Sequence, residues 1–415
     1  MKRIKNKVKR VLKETIIYKK HGAYIRSKRR EKRIQWMNKY KNEIHFDNKT
    51  VLFISYLGKY YSDSPRAIYE EMMKNPKFDD YTFVWVFKNT EKAKKIKQLA
   101  LRTKIIEYMS EDYFKALYQA KYWITNNRMT EYVEKNEGQV YVQTWHGTPF
   151  KRIGFDIEVE GENASHKKNE LLKLYEEDAE NYDFMPSPSK YYTDKITSAF
   201  NLKALDKEKV VHETGYPRND FLYNYTNDDV KKVKDILEIP EDKKVILYAP
   251  TWRDNQYKEG VGYTFDVNID FDLLKEQLKD EYVIIFRPHY FIASKFKFSE
   301  YKGFVYNGTL INDINYLYVI SDILITDYSS VFFDYSNLRR KILFYMYDYE
   351  YYKNTLRGFY FDASKLPGPI SENEQQLIKD IKSDLDANKI EEFAQEFNTF
   401  DDGKAASRVV EQVFK

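Results

Sequence analysis

The chain has 415 residues, enough for a sizeable core in two domains. Hydrophobic residues make up 42% and aromatic residues 17%, which excludes a disordered chain, and the lack of cysteine excludes disulfides and thiolate metal sites. The net charge of +5 hides a segregation: residues 1–45 hold 17 Lys or Arg against 3 Glu, whereas the remainder holds 52 basic and 61 acidic residues. The 38 tyrosines follow more readily from A/T-rich codon usage than from a carbohydrate-binding surface.

The basic arm comes first. Ile4, Val8, Val11, Leu12 and Ile16 keep helical spacing among lysines and arginines, the pattern of a basic amphipathic helix that lies in a membrane interface. A second basic cluster spans Arg26–Arg33, with Trp36, Met37 and Tyr40 as candidate interface anchors. The alternative reading packs the apolar stripe on the protein body. Nucleic-acid binding is disfavoured, because phosphate contacts do not need Ile, Val and Leu in register. No signal-peptide core and no run of about 18 apolar residues is present. The expected location is the cytoplasmic face of the cell membrane, with peripheral attachment to an anionic surface.

From residue 51 the pattern alternates strand and helix, which predicts an α/β fold with parallel sheets. Strands are expected at 51–55, 81–87, 104–107, 122–125, 140–144, 182–186 and 210–213. A helix runs from Asp63-Ser64-Pro65, where Asp63 caps and Pro65 opens the first turn, to about Lys74. A polar helix over 228–238 marks a boundary. Further short apolar runs at 244–249, 282–286, 323–326 and 342–345 suit buried parallel strands. Residues from Glu372 onward are helical and charged. The expected organisation is an arm at 1–45, a doubly wound domain at 46–235 and a second at 236–415, facing each other across a cleft at the carboxyl ends of their strands.

The chemistry-bearing motifs follow these strands: Trp145-His146-Gly147-Thr148-Pro149, Gly215 to Asp220 (GYPRND), Ala249-Pro250-Thr251-Trp252-Arg253, Arg287-Pro288-His289 and Asp327-Tyr328-Ser329-Ser330. His146 and His289 each sit beside groups suited to phosphate. A histidine moves a proton near neutral pH, and an arginine fork takes two phosphate oxygens. Arg218 and Arg287 therefore suit a diphosphate. Ser329 and Ser330 either cap the next helix or present hydroxyls to an anion. Asp327 and Asp334 read as surface charges or as acceptors from a polyol. No HExxH, GxxxxGK[ST] or GxSxG pattern occurs, so zinc-protease, P-loop and hydrolase chemistry are not indicated.

With these motifs the chain resembles the CDP-glycerol glycerophosphotransferases of teichoic-acid synthesis. The matching segments are Leu52–Glu70, QTWHGTPFKRIG, GYPRND, LYAPTWRD, FRPH, Asp313–Asp334 and RGFYFD at Arg357–Asp362, in order over roughly residues 50–365. The resemblance implies a GT-B fold and transfer of glycerol phosphate from CDP-glycerol to a hydroxyl of a polyprenyl-diphosphate-linked acceptor, releasing CMP. It implies donor contacts at Trp145, His146, Gly147, Thr148, Pro149, Arg218, Pro250, Thr251, Arg287, Pro288, His289, Ser329, Ser330 and Asp334. His146 is the expected general base and His289 a donor-phosphate ligand. No obligate metal or other cofactor is expected. Tyr56, Lys59 and Asp63 are candidates to face the acceptor, though helix capping accounts equally for Asp63. CDP-ribitol as donor and a sugar-nucleotide glycosyltransferase stay open as alternatives. The short arm before the transferase region favours a compact primase-like or capsule-type enzyme.

Overall fold

The computed structural model describes residues 16–99, 102–158, 168–251, 257–258, 262–263, 268–288, 296–350, 358–384 and 386–415. Helix α1 (Ile16–Glu43) leads into a five-stranded parallel sheet of β1 (Asp47–Ile54), β2 (Thr82–Phe87), β3 (Thr103–Glu107), β4 (Ala120–Thr125) and β5 (Val140–Gln143), in the order β3-β2-β1-β4-β5. The run Val51–Ile54 and the run Phe83–Phe87 are buried along their whole length, as expected for strands covered by helices on both faces. Those covers include α2 (Asp63–Lys74) and α3 (Glu111–Gln119). The Ser110 hydroxyl caps α3 by accepting from the Tyr113 N–H.

After α4 (Lys168–Ala179), the segments expected as strands at 182–186 and 210–213 shrink to Met185–Pro186 and Val211–His212, which pair with each other in a separate small sheet. Pro186 has no N–H with which to extend the ladder. Helix α5 (Asn227–Leu237) is closed by a reciprocal cap between Thr226 and Asp229. The second sheet is six-stranded and parallel. It comprises β6 (Lys244–Tyr248), β7 (Tyr282–Phe286), β8 (Val305–Asn307), β9 (Ile323–Thr326), β10 (Lys341–Tyr345) and β11 (Ile370–Ser371), in the order β8-β7-β6-β9-β10-β11.

Two placements differ from the sequence reading. The anchors Trp36, Met37 and Tyr40 turn inward. Met37 is buried in the core of the first sheet, the Trp36 ring lies 6.1 Å from Phe114, and the Tyr40 hydroxyl donates to Glu111 at 2.9 Å. α1 therefore spends its apolar side on α3, because that contact removes aromatic surface from water locally. Residues 1–15, which carry most of the expected amphipathic helix, lie outside the described residues. The second difference is α6 (Ala405–Val413), which packs on the first sheet although residues 236–415 were expected to form one domain. Val409, Val410 and Phe414 join that core, with the Phe414 ring 4.3 Å from Tyr122. Among the described residues no helix is long and apolar enough to cross a membrane.

Candidate active site

The carboxyl ends of both sheets meet at a cleft of about 580 Å³. Its first wall carries Tyr56, Lys59 and Asn127 with residues 145–151, and its second carries Pro250, Thr251, Arg287, Pro288, Ser329 and Ser330. A smaller recess of about 270 Å³, lined among others by Asp63, Arg218 and Asp334, shares His146, Arg287 and Ser330 with it.

Just past β5 the main chain turns sharply at Trp145, whose φ of 52° is left-handed. An L-residue adopts this conformation at a cost, of the order of 1–3 kcal/mol. The Gln143 side chain pins the turn by accepting from the Trp145 N–H at 2.9 Å. The two neighbouring rings stay together across the reversal, their centroids 4.2 Å apart. Trp145 enters the core, 9% exposed and edge-on to Phe200 at 4.9 Å, and His146 reaches the cleft. Trp145 thus backs the His146 imidazole with its indole.

His146 Nδ1 lies 2.7 Å from the Asn126 carbonyl oxygen. A carbonyl can only accept, so Nδ1 carries the hydrogen and Nε2 keeps its lone pair. Burial holds the imidazole below its ordinary pKa, although the Asn126 bond and Asp63 act the other way. The ring is therefore neutral at pH 7 and has the tautomer that a base needs. Asn126 itself is fixed from β1: its Oδ1 accepts from the Tyr56 N–H at 2.8 Å, in a turn where Tyr56 and Leu57 are both left-handed.

The following residues carry the first wall across to the second. A Cβ on Gly147 would lie 2.5 Å from the Ser330 hydroxyl, so a larger residue here would require Ser330 to move. Thr148 is 1% exposed, and its hydroxyl has no hydrogen-bond partner among the described residues. The Pro149 carbonyl accepts from Tyr191 at 2.8 Å. Phe150 then enters the core of the second sheet, stacked on Phe359 at 4.5 Å.

On the second wall, the buried Asp327 accepts from the N–H groups of Thr251 at 2.7 Å and Tyr328 at 2.6 Å, joining the loops after β6 and β9. It is a loop staple, where a surface charge or polyol acceptor was expected. Ser329 and Ser330 precede the short helix Val331–Tyr335, and Ser330 makes no side-chain capping bond to it, so the capping reading of that residue does not hold. Arg287 follows β7 and lines the cleft, but its guanidinium already donates to the carbonyls of Gly308, Ile311 and Asn312 at 2.6, 2.5 and 3.1 Å. Of its five hydrogens, three are thus engaged in holding the 308–312 loop. His289 lies outside the described residues, as do Trp252, Arg253 and Arg357.

Arg218 differs most from the expectation. It is buried, and its terminal nitrogens donate to Asp63 at 3.2 Å, to the His146 carbonyl at 2.9 Å and to Asp334 at 2.5 Å. Asp63 belongs to the first wall and Asp334 to the second. Arg218 and Asp334, expected as donor contacts, are engaged with each other as a buried tie between the two halves. Asp63 is left-handed at φ 64° and also accepts from the Tyr56 hydroxyl at 2.6 Å, so it braces the wall. Asn126 was missed by the sequence reading. Its signal was present in Asn126-Asn127-Arg128, a polar run directly after β4 like the other motifs after strands.

A family model described as CDP-Glycerol:Poly(glycerophosphate) glycerophosphotransferase matches residues 36–415. The chain belongs to this family. The family member is 40% identical over 378 residues to a teichoic acid poly(glycerol phosphate) polymerase of Bacillus spizizenii, covering 88% of this chain and 92% of that relative. It is 40% identical over 377 residues to the polymerase of the same description from Bacillus subtilis, covering 88% of this chain, but it spans about half (49%) of that relative's length. Relatives described as ribitol-phosphate enzymes or as a glycerol-phosphate primase are 26–32% identical. A solved structure of the wall teichoic acid polymerase TagF matches with a TM-score of 0.83 at 36% identity, covering 98% of this chain and 97% of that one. A histidine-to-asparagine variant of TagF was solved after a soak with CDPG. The expected GT-B architecture, two Rossmann-like units facing a cleft, is the fold observed.

Proposed function

We propose that the chain transfers glycerol phosphate from CDP-glycerol to a hydroxyl of a lipid-linked teichoic-acid or related cell-surface polymer, releasing CMP. The observation that carries this reading is the Nδ1 bond of His146 to the Asn126 carbonyl, which leaves Nε2 as a base in a cleft between two Rossmann-like units. Nε2 takes the proton from the acceptor hydroxyl as its oxygen attacks the phosphorus that bears glycerol. The bond from that phosphorus to the bridging oxygen breaks, and CMP leaves with the electron pair. A positioned base contributes about 10²–10⁴-fold. The remaining acceleration comes from holding the phosphates in line and stabilising their charge.

The residues at the carboxyl ends of β6, β7 and β9 serve the donor. Ser329, Ser330 and Thr148 offer hydroxyls, Gly147 and Pro149 shape the first wall, and Pro250, Thr251 and Pro288 line the second. His289, two residues beyond Arg287 in the chain, is assigned with it to the donor diphosphate. No obligate metal takes part in this scheme.

Greater similarity to glycerol-phosphate polymerases and a glycerol-phosphate transferase, at 39–40% identity, than to ribitol-phosphate enzymes supports glycerol as the transferred unit. A polymerase of nearly the same length exists among the relatives, so the compact size that was read as primase-like carries no preference. Peripheral attachment at the cytoplasmic face, on an anionic leaflet, and a polyprenyl-diphosphate-linked acceptor complete the proposal. The 17 Lys and Arg of residues 1–45 support the attachment.

A donor panel tests the reading. CDP-glycerol, CDP-ribitol and a UDP-sugar are each offered with a lipid-linked acceptor, and CMP release and product mass are followed. CDP-glycerol alone should give CMP and mass increments of glycerol phosphate. Turnover of CDP-ribitol or of the UDP-sugar in its place overturns the proposal.

A further inference from the structure

A second groove, of about 600 Å³, lies between α1 and the segment after β4. Arg26, Arg29, Arg30 and Arg33 line it from α1, where the spacing i, i+3, i+4, i+7 places four guanidinium groups on one helix face. Arg128 faces them from the other side. Its guanidinium sits over the Tyr175 ring at 4.3 Å, and its Nη1 is buried with no hydrogen-bond partner among the described residues. Asn127 Oδ1 and Thr130 Oγ1, in the same segment, are buried and unpartnered as well. A buried guanidinium nitrogen without an acceptor is costly, and an incoming oxyanion would satisfy it.

The acidic residues of the groove do not neutralise this face. Arg30 pairs with Glu131 at 2.5 Å, both half-exposed, which contributes little and can be exchanged for another anion. Glu177 lies on the groove, and burial raises the Asp178 carboxyl to about 7, so it carries only part of a charge at neutral pH. Among the described residues, Arg26, Arg29, Arg33 and Arg128 form no ion pair.

Leu57 and Asn127 line both this groove and the catalytic cleft, so the two adjoin at the residue next to Asn126, whose carbonyl holds His146. We propose that the groove binds phosphate groups of the acceptor chain and thereby delivers its terminal hydroxyl to His146 Nε2. The proposal rests on the transfer reading above. Planar arginine forks match the paired oxygens of a phosphodiester, and their number along one helix face suits a chain with repeated phosphates. The same chemistry could be supplied by anionic lipid headgroups, and the test separates the two sources.

The test uses the full chain without donor. A fluorescently labelled short oligo(glycerol phosphate) is titrated against wild type, the Arg29→Ala/Arg33→Ala double variant and Arg128→Gln, with melting curves to verify folding. CDP-glycerol affinity and co-sedimentation with phosphatidylglycerol vesicles are measured in parallel, and CMP release is assayed separately. The dissociation constant for the oligomer should rise about tenfold or more in each variant, while that for CDP-glycerol stays within about twofold. Unchanged oligomer affinity, or no oligomer binding by wild type, overturns the proposal. Loss of vesicle binding alone assigns the arginines to lipid headgroups and also overturns it. Wild type that binds the oligomer through these arginines but releases no CMP from CDP-glycerol refutes the transfer reading instead. If Arg128→Gln does not fold, the double variant on the helix face decides.

Discussion

Gly147 approaches Ser330 so closely that a Cβ would stand 2.5 Å from the hydroxyl oxygen and 3.2 Å from the serine Cβ. The two residues come from opposite walls of the cleft, so their contact sets the gap between the base and the donor side. Gly147→Ala should displace Ser330, whose hydroxyl must turn away and whose Cβ must yield. Displacement of about 1 Å in such a site costs on the order of 100-fold in rate. The expected result is a fall of that size in kcat/KM, with a melting temperature that stays near wild type because the two cores are untouched.

His146→Gln should reduce turnover by about 10²–10⁴-fold without loss of fold. Wild-type activity in a folded variant would refute the base assignment. The base must be neutral, and burial lowers its pKa, so the acidic limb of the pH–rate profile should lie below the ordinary imidazole value of about 6.5. The stability sign follows. The unfolded chain binds this proton more readily than the folded one, so the contribution of neutral His146 is fully present above the unfolded value of about 6.5 and is lost as pH falls from there through the lower folded value.

Arg218 separates a structural tie from a donor ligand. Its partners Asp63 and Asp334 are both 4% exposed at the side chain. Arg218→Ala would leave two buried carboxylates uncompensated, a loss of about 3–5 kcal/mol measurable by urea unfolding. Asp334→Asn should cost less, since an amide can still accept from the guanidinium. Unchanged stability with a raised KM for CDP-glycerol would restore the donor-contact role.

Metal independence is tested directly. The protein treated with EDTA and assayed in metal-free buffer should keep its CMP release. Recovery that depends on added Mg²⁺ or Mn²⁺ would refute the scheme, in which cationic side chains carry the diphosphate charge.

Phe414 tests the return of α6 to the first sheet. It is 1% exposed, with rings of Phe78 and Tyr122 at 5.4 and 4.3 Å. Phe414→Ala should destabilise the fold by about 3–5 kcal/mol, while a residue packed only on the second sheet would leave the melting of the first unchanged.

Much of the fold was legible because its signals are local. The apolar runs 51–55 and 282–286 are bounded by breakers, and their observed strands, Asp47–Ile54 and Tyr282–Phe286, keep those cores. The motif around His146 was equally plain, since glycine, proline and histidine crowd one strand end. The segment 182–186 misled because Tyr182 is buried as a strand residue would be, yet its hydroxyl serves Asp178 at 2.6 Å.

Residue order alone established the alternating parallel architecture, the basic character of residues 1–45 and the chemical content of the strand ends, since each depends on neighbours within a few positions. Contacts between distant segments decided what those residues do. Asn126 selects the tautomer of His146 from 20 positions away, and Asp334 takes up Arg218 from 116. The carbonyls of the 308–312 loop take most of Arg287, and α3 draws Trp36 and Met37 inward. Side-chain type states which bonds a group can form, but the bond it makes is set by which partners folding brings within about 3 Å.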